Sequence, residues 1–336
     1  MIISRTPFRV SFFGGGTDYP AWFNENKGAS LGTTIDKYCY ITCRYLPPFF
    51  DHKSRIIYSK VEHVQNVNEI HHPAVREVIK FLNITDGLEV HHDGDLPART
   101  GLGSSSSFTV GLLNALYALK GKMVSKERLA QEAIHVEQEM CKENVGCQDQ
   151  VLAAYGGFNY VEFGGPAHLK TTKVTISKKK LKFLQDRLML FFTGFSRTAS
   201  EIAKHQIENI PKKKKDLTEM YEMTATALDI LGGENISEFG KLLDESWKIK
   251  RQLSEKISTP YVDEIYENAK KAGALGGKLL GAGGGGFVLL FAEPEKQKQI
   301  RAALDPLLEI PFMFETQGSQ IIFYQPNTGK VEQSLV

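Results

Sequence analysis

Residues 97–107, Pro97-Ala98-Arg99-Thr100-Gly101-Leu102-Gly103-Ser104-Ser105-Ser106-Ser107, carry the strongest chemical signal in the chain. Gly101 and Gly103 permit backbone geometry closed to other residues and let a ligand come close. The serines fall where a helix begins, with backbone N–H groups that lack intrahelical partners and the positive end of a dipole. Such a start is an anion site suited to phosphate; a Ser-capped buried helix is the plainer reading. Glu137 is the second signal. It shares a helical stripe with Leu129, Ala130, Ala133, Ile134, Met140 and Cys141, and a carboxylate there is costly unless an arginine or a metal ion compensates it. A third stretch, Lys278 to Phe287, contains a literal Gly-x-Gly-x-x-Gly. That pattern binds a dinucleotide where it opens a helix, and here Phe287 to Ala292 reads as a strand, which excludes that site. The Walker pattern Gly-x4-Gly-Lys-Ser/Thr is absent. His71-His72 and His91-His92 invite a metal reading, but adjacent strand residues point to opposite faces and no carboxylate or thiol cluster accompanies them.

These residues need a scaffold, and the periodicities of the chain supply one. Residues 2–13 alternate, Phe8, Val10 and Phe12 on one side and Arg9 and Ser11 on the other, which predicts a strand with one buried face. It runs into Gly14-Gly15-Gly16-Thr17-Asp18-Tyr19-Pro20, a loop whose glycines leave space. Strands are predicted from Tyr38 to Tyr45 and from Leu88 to His92, the latter leading into the glycine-serine loop. Phe108 to Leu119 reads as a buried helix and 125–141 as an amphipathic one. Gly156-Gly157 precedes a strand ending near Phe163. Pro166 to Lys182 is polar and lysine-rich and marks a boundary between domains at 1–170 and 183–336. Beyond it, Leu188 to Thr193 reads as a buried strand that enters a helix through Gly194-Phe195-Ser196-Arg197-Thr198-Ala199-Ser200, with Ser196 or Thr198 as N-cap. Arg197 joins a guanidinium to a helix start, a pairing suited to a phosphate, unless it pairs with Glu201 one turn on. Helices are predicted over 213–231, 235–257 and 260–273. A helix near 294–305 and strands near 312–316 and 319–325 complete a β-α-β-β-α-β-like C-terminal half.

A length of 336 residues suggests two domains. Apolar and charged fractions of 42% and 24% are those of an ordinary soluble globular protein. Forty-one basic residues against 39 acidic ones leave a net charge of +2, so no polyanion signature marks a nucleic-acid partner. The lysine runs at 178–180 and 212–215 read as solvated surface. Cys39, Cys43, Cys141 and Cys147 form no Cys-x-x-Cys pair and, with no signal peptide, are expected to be reduced thiols of a cytoplasmic protein. No apolar run approaches the ~20 residues that span a bilayer, so no membrane partner is expected. Homo-oligomerisation stays open.

The loop at 97–107 resembles, over its whole length, the phosphate loop of the GHMP small-molecule kinases, Pro-x-x-x-Gly-Leu-Gly-Ser-Ser-Ala/Ser. Pro7-Phe8-Arg9-Val10-Ser11-Phe12-Phe13-Gly14-Gly15-Gly16-Thr17-Asp18-Tyr19 resembles the first motif of that family, and Lys278 to Phe287 the third. Between them, Asn144-Val145-Gly146-Cys147-Gln148-Asp149-Gln150 is similar to the galactokinase segment Gly-x-Met-Asp-Gln. The resemblance spans residues 5–287. It implies an α/β (α+β) two-domain GHMP kinase fold, with an N-terminal ribosomal-protein-S5-like domain containing a left-handed crossover, a C-terminal ferredoxin-like domain and an active site in the cleft between them.

The resemblance also implies ATP, Mg²⁺ and roles for single residues. Gly101, Leu102, Gly103, Ser104, Ser105, Ser106 and Ser107 would hold the ATP phosphates. Ser105, the second serine of the family's pair, and Glu137 would hold magnesium. Asp149 would accept the proton of the acceptor hydroxyl, and Arg9 would stabilise charge on the transferring group. Gly15, Gly16, Thr17, Asp18, Gly283, Gly284 and Arg197 would meet the acceptor. Galactokinases carry Glu-His where this chain has Gly15-Gly16, which points away from free galactose towards a larger substrate. Phe-Arg-Val-Ser-Phe-Phe-Gly-Gly-Gly-Thr-Asp and Thr-Gly-x-Ser-Arg look most like the bacterial D-glycero-D-manno-heptose 7-phosphate 1-kinases, which make sugar 1,7-bisphosphates for nucleotide-activated heptose. That likeness implies a sugar 1-kinase whose partners are a sugar phosphate and ATP. The alternatives are a fucose, galactose or isoprenoid-pathway kinase and a non-catalytic sugar or ATP sensor. The open polar Gly-Gly-Gly-Thr-Asp loop argues against an isoprenoid acceptor, and the presence of both Glu137 and Asp149 argues against the sensor.

Overall fold

Two sheets carry the chain in the computed structural model, which describes residues 1–165, 169–194 and 199–326. The first sheet is built on β1 (Ile2–Phe13) and the 18-residue β2 (Gly28–Tyr45), antiparallel from Ile2 opposite Cys43 to Phe13 opposite Leu31. β3 (Ser54–Ile57) and β4 (Val61–Val64) form a hairpin, and β3 lies parallel to β5 (Leu88–Gly94), which itself pairs with β2. The other end of β2 pairs with β6 (Asn159–Phe163), and β7 (Leu169–Lys173) pairs with β6.

The second sheet holds β8 (Leu188–Gly194), β9 (Gly276–Leu279), β10 (Gly286–Phe291) and β11 (Leu308–Glu309), antiparallel in the order β11-β8-β10-β9. With helices between β8 and β9 and between β10 and β11, this is the β-α-β-β-α-β pattern of a ferredoxin-like domain. Its fourth strand is Leu308–Glu309. The strands expected to complete it, now β12 (Phe314–Glu315) and β13 (Gln320–Tyr324), join the first sheet instead: Phe314 stands opposite Ile35 and Tyr324 opposite Ile2. Alternation predicts a strand but carries no information about which sheet receives it.

Three other expectations change. β1 is buried on both faces, not one, from Pro7 onward; the helices Gln148–Tyr155, Lys214–Gly232 and Ser237–Gln252 all pack on it. The lysine-rich stretch at 166–182 contains β7 and the start of the helix Lys178–Gln185, which Ser177 caps. Lys180 there is not simply solvated, since its Nζ donates to the carbonyls of Gly232 and Gly233 at 2.8 and 2.7 Å, closing the end of the helix Lys214–Gly232.

The two halves meet where Phe239, on the helix Ser237–Gln252, sets its ring edge-to-face on Phe12 and Phe13, centroids 5.3 and 5.0 Å away. Each such pair contributes about 0.5–1.5 kcal/mol beyond its burial. The contact fixes the C-terminal helices over the end of β1, where the loop Gly14 to Tyr19 begins. No helix among the described residues is long and apolar enough to cross a membrane.

Candidate active site

Arg9 lies in the middle of β1, and its backbone N–H donates to the Leu102 carbonyl at 3.0 Å, so the strand holds the glycine-serine loop directly. Its buried guanidinium has three partners. Nε donates to Asp149 Oδ1 at 2.7 Å, Nη2 to Asp149 Oδ2 at 2.6 Å and Nη1 to the Gly101 carbonyl at 2.7 Å. Asp149 stands in the first turn of the helix Gln148–Tyr155, and its side chain is 25% exposed. A side chain on Gly103 would meet Asp149 Oδ2 at 3.4 Å. Residues 9, 101–103 and 149 therefore occupy one small space.

The loop after β1 closes on the same place. Asp18 is buried; its Oδ1 accepts from the Gly16 N–H at 2.9 Å and its carbonyl from the Cys147 N–H at 3.0 Å. Burial pushes its carboxyl above the usual carboxylate range, the Gly16 bond pulls it back, and the charge of Asp149 adds to the rise. Gly146 lets the Asp18 carboxylate come close, since a Cβ there would lie 1.9 Å from Asp18 Oδ2. Ser11 Oγ donates to Gln148 Oε1 at 2.6 Å, a third tie between β1 and the Asp149 segment.

The helix Ser104–Leu119 opens at Gly103, which is left-handed at φ 72°, and no side chain caps it. Three of its four serines are engaged elsewhere. Ser104 Oγ accepts from the Arg99 N–H at 3.1 Å, Ser106 Oγ donates to Glu137 at 2.8 Å, and Ser107 Oγ donates to the Pro7 carbonyl at 2.8 Å. The Ser-capped reading therefore fails, and the helix start keeps the character of an anion site. The glycine turn after β9 lies against it: a Cβ on Gly281 would stand 2.5 Å from Gly101 Cα.

Glu137 is presented by a single π turn, Val136–Met140, that interrupts the expected helix after His135. Such turns recur at functional sites. It is 1% exposed and accepts from Thr109 Oγ1 at 2.7 Å, Ser106 Oγ at 2.8 Å and Gln150 Nε2. Among the described residues no cation pairs with it, so the arginine alternative is removed, and burial pushes its carboxyl up to about 7. A carboxylate among hydroxyls is a hard-oxygen donor set that fits Mg²⁺. Of the loop serines, the one that reaches Glu137 is Ser106, whereas Ser105 is exposed at the loop's surface.

Several expected acceptor residues stand otherwise. Thr17 Oγ1 is spent on the carbonyls of Gly14 and Ala29 at 2.8 and 2.9 Å and accepts from the Ala29 N–H, so it closes the loop on β2 and does not face a substrate. Gly283 packs on Ile257, and the Gly284 N–H donates to the Ile257 carbonyl at 2.9 Å, which turns this part of the motif towards the helical layer. Gly15 and Gly16 do border the Asp18 loop, facing Gln148 and Gln206. Arg197 lies outside the described residues. His72 stacks on Phe108 and His92 meets the same ring edge-on, centroids 4.6 and 5.0 Å away.

Three polar residues of the C-terminal half were missed. Lys250 Nζ donates to the Gly281 carbonyl at 2.6 Å and Lys278 Nζ to the Phe12 carbonyl at 2.8 Å, both lysines buried. Gln206 is buried against Gly16, and its Nε2 has no partner among the described residues. The signal that marked Glu137 was present for two of them. Lys250 continues the stripe Phe239, Leu243, Trp247, and Gln206 the stripe Ile202, Ala203, Ile210.

Comparison with known proteins bears on this geometry. Residues 68–157 match the family model of the GHMP kinases N terminal domain and residues 224–306 that of the GHMP kinases C terminal domain, together just over half of the chain. The D-glycero-alpha-D-manno-heptose 7-phosphate kinase of Campylobacter jejuni is 29% identical over 90% of this chain and 93% of its own. A mevalonate kinase of Thermococcus onnurineus is 29% identical over 65% of this chain and 64% of its own. The crystal structure of a D-glycero-D-manno-heptose 1-phosphate kinase from Bacteriodes thetaiotaomicron, at 22% identity, covers 95% of this chain and 98% of that one with a TM-score of 0.71, a likeness of fold.

Proposed function

The chain belongs to the GHMP kinase family, and from that membership we propose that it transfers the γ-phosphoryl group of ATP to the anomeric hydroxyl of a sugar phosphate. The acceptor is D-glycero-D-manno-heptose 7-phosphate and the product its 1,7-bisphosphate, a cytoplasmic step towards nucleotide-activated heptose and surface polysaccharide. The observation that carries the reading is the bidentate Arg9–Asp149 pair set against Gly103 at an uncapped helix start. It supports a reading in which Asp149 accepts a proton beside a cradle for phosphate.

Backbone N–H groups of 101–107 hold the ATP phosphates. Glu137, with the Ser106 hydroxyl on it, and Ser105 at the open start of the helix would hold Mg²⁺, which when bound neutralises phosphate oxygens. Asp149 takes the proton of the acceptor hydroxyl: Arg9 uses one lone pair on each of its oxygens and leaves another. Arg9 fixes the orientation of that carboxylate and, through the Gly101 carbonyl, its distance from the phosphate loop. Asp18 holds sugar hydroxyls, and Gly15-Gly16 leaves room where a bulkier pair would narrow the site. Arg197 is assigned to the distal phosphate. The heptose assignment is supported by the near full-length similarity to the Campylobacter jejuni protein and by the polar lining of the acceptor loop.

Initial rates with Mg·ATP test this against heptose 7-phosphate, the unphosphorylated heptose, fucose, galactose and mevalonate. The highest kcat/KM is expected with heptose 7-phosphate. A preference for mevalonate, or no transfer to any sugar, would overturn the reading.

A further inference from the structure

We propose that Lys250 is a catalytic residue, a second cation beside Arg9 that contacts the phosphoryl group as it passes from ATP to the acceptor. The inference rests on the kinase reading above. Lys250 projects from the last turn of the helix Ser237–Gln252 and is 5% exposed. Its Nζ makes one hydrogen bond among the described residues, to the Gly281 carbonyl, and two of its three N–H groups remain for a ligand. Gly281 is the residue whose backbone abuts Gly101, and the Gly101 carbonyl accepts from Arg9 Nη1. Ammonium and guanidinium thus hold the two carbonyls at one crossing of the phosphate loop and the glycine turn.

The charges that act on Lys250 are those of the reaction centre, Arg9, Asp18 and Asp149. Burial pulls its ammonium down to about 8; Arg9 adds to the fall, and Asp18 and Asp149 oppose it. Lys278 completes the cluster, which holds three basic side chains against two acidic ones. An ammonium out of water with one carbonyl partner is under-compensated. Phosphoryl oxygens would supply both the missing acceptors and the missing negative charge. Arg9 cannot do this alone, since Asp149 and Gly101 take three of its five N–H groups. Gln206, a buried donor of the C-terminal half whose Nε2 has no partner among the described residues, stands against the acceptor loop.

In the step itself the acceptor oxygen forms its bond to phosphorus, the bond from phosphorus to the β–γ bridging oxygen breaks, and ADP leaves with that electron pair. The acceptor's proton goes to Asp149. Lys250 keeps its protons and holds oxygens of the group in flight.

The test compares wild type with Lys250→Met and Lys250→Gln. Thermal midpoints are taken without ligand, with Mg·ADP, and with Mg·ADP plus aluminium fluoride, which mimics the phosphoryl group in transfer; kcat and KM are taken with ATP and heptose 7-phosphate. Both variants should keep the Mg·ADP shift, lose the additional shift from aluminium fluoride, and lose about 10²-fold or more in kcat with KM for ATP within about threefold. Lys250→Gln keeps a donor for Gly281 and decides the matter if Lys250→Met does not fold. A kcat within about threefold of wild type, a retained fluoride shift, or loss of the Mg·ADP shift itself would make Lys250 a structural tie and overturn the proposal. Wild type that transfers to no acceptor would overturn the kinase reading, while the fluoride shift still reports on Lys250 by itself.

Discussion

Arg9 grips both carboxylate oxygens of Asp149, at 2.7 and 2.6 Å, across 140 residues of sequence. The pair joins β1 to the helix Gln148–Tyr155, and the third hydrogen bond of Arg9 carries the constraint on to the phosphate loop. Charge-assisted bidentate geometry of this kind fixes angle as well as distance, so the position of the Asp149 carboxylate is set before any substrate arrives.

Asp149→Asn should therefore separate chemistry from binding. The amide oxygen still accepts one bond from Arg9, but the group can no longer take a proton. We expect kcat to fall by ~10²–10⁴-fold with KM for ATP little changed. A kcat near that of wild type would remove Asp149 from the mechanism.

Glu137 yields a prediction in pH. Its carboxyl stands at about 7 in the metal-free fold against an ordinary value of 4.5, so folding takes up a proton between these values. The stability it contributes is complete below about 4.5 and is lost as pH rises through about 7. In EDTA the thermal midpoint of wild type should fall from pH 5 to pH 8 more steeply than that of Glu137→Gln, and Mg²⁺ should restore wild type at pH 8. The variant should also need much more Mg²⁺ for activity. Parallel pH profiles for the two proteins would rule out the assignment.

Gly281→Ala should weaken ATP binding by displacing the loop at Gly101. Its Cβ would stand 2.5 Å from Gly101 Cα, on a backbone at φ 78°. We expect a loss of about 1–3 kcal/mol in unfolding free energy, from overpacking, together with a raised KM for ATP. Gly232→Ala, with nothing among the described residues within 4 Å of its Cβ, should stay within about 0.5 kcal/mol of wild type. Equal behaviour of the two variants in denaturant titration would show that the crossing of the two loops is not tight.

How far such a site can be read from sequence follows from individual residues. Glu137 was legible because a charge on an apolar stripe is anomalous in one dimension, and its partners Ser106, Thr109 and Gln150 were not, because nothing local marks a hydrogen bond spanning up to 31 residues. Arg9, Asp18 and Asp149 were located by motif resemblance; their mutual geometry depends on where β1 and the segment 146–149 fold. Thr17 has the composition of a substrate-facing residue, but the local turn takes its hydroxyl. Strands β12 and β13 were found and assigned to the wrong sheet, since strand pairing is a tertiary choice.

Arg197 provides a comparative test of the distal phosphate. Wild type and Arg197→Ala would be measured on heptose 7-phosphate and on the unphosphorylated heptose. The variant should lose activity on the phosphorylated sugar, by an amount in keeping with a charge-assisted bond of about 1.5–3 kcal/mol, and little on the free one. Equal losses on both would assign Arg197 to structure or to ATP.

The central claim is the position of transfer, and the product reports it directly. Heptose 7-phosphate would be incubated with Mg·ATP and wild-type protein, and the product examined by two-dimensional ¹H–³¹P NMR. We expect a new phosphorus resonance coupled to the anomeric proton with the 7-phosphate resonance retained, and with Asp149→Asn the 7-phosphate resonance alone over the same time. A new phosphate coupled to any other ring proton, or ADP formed with no phosphorylated product, would contradict the claim.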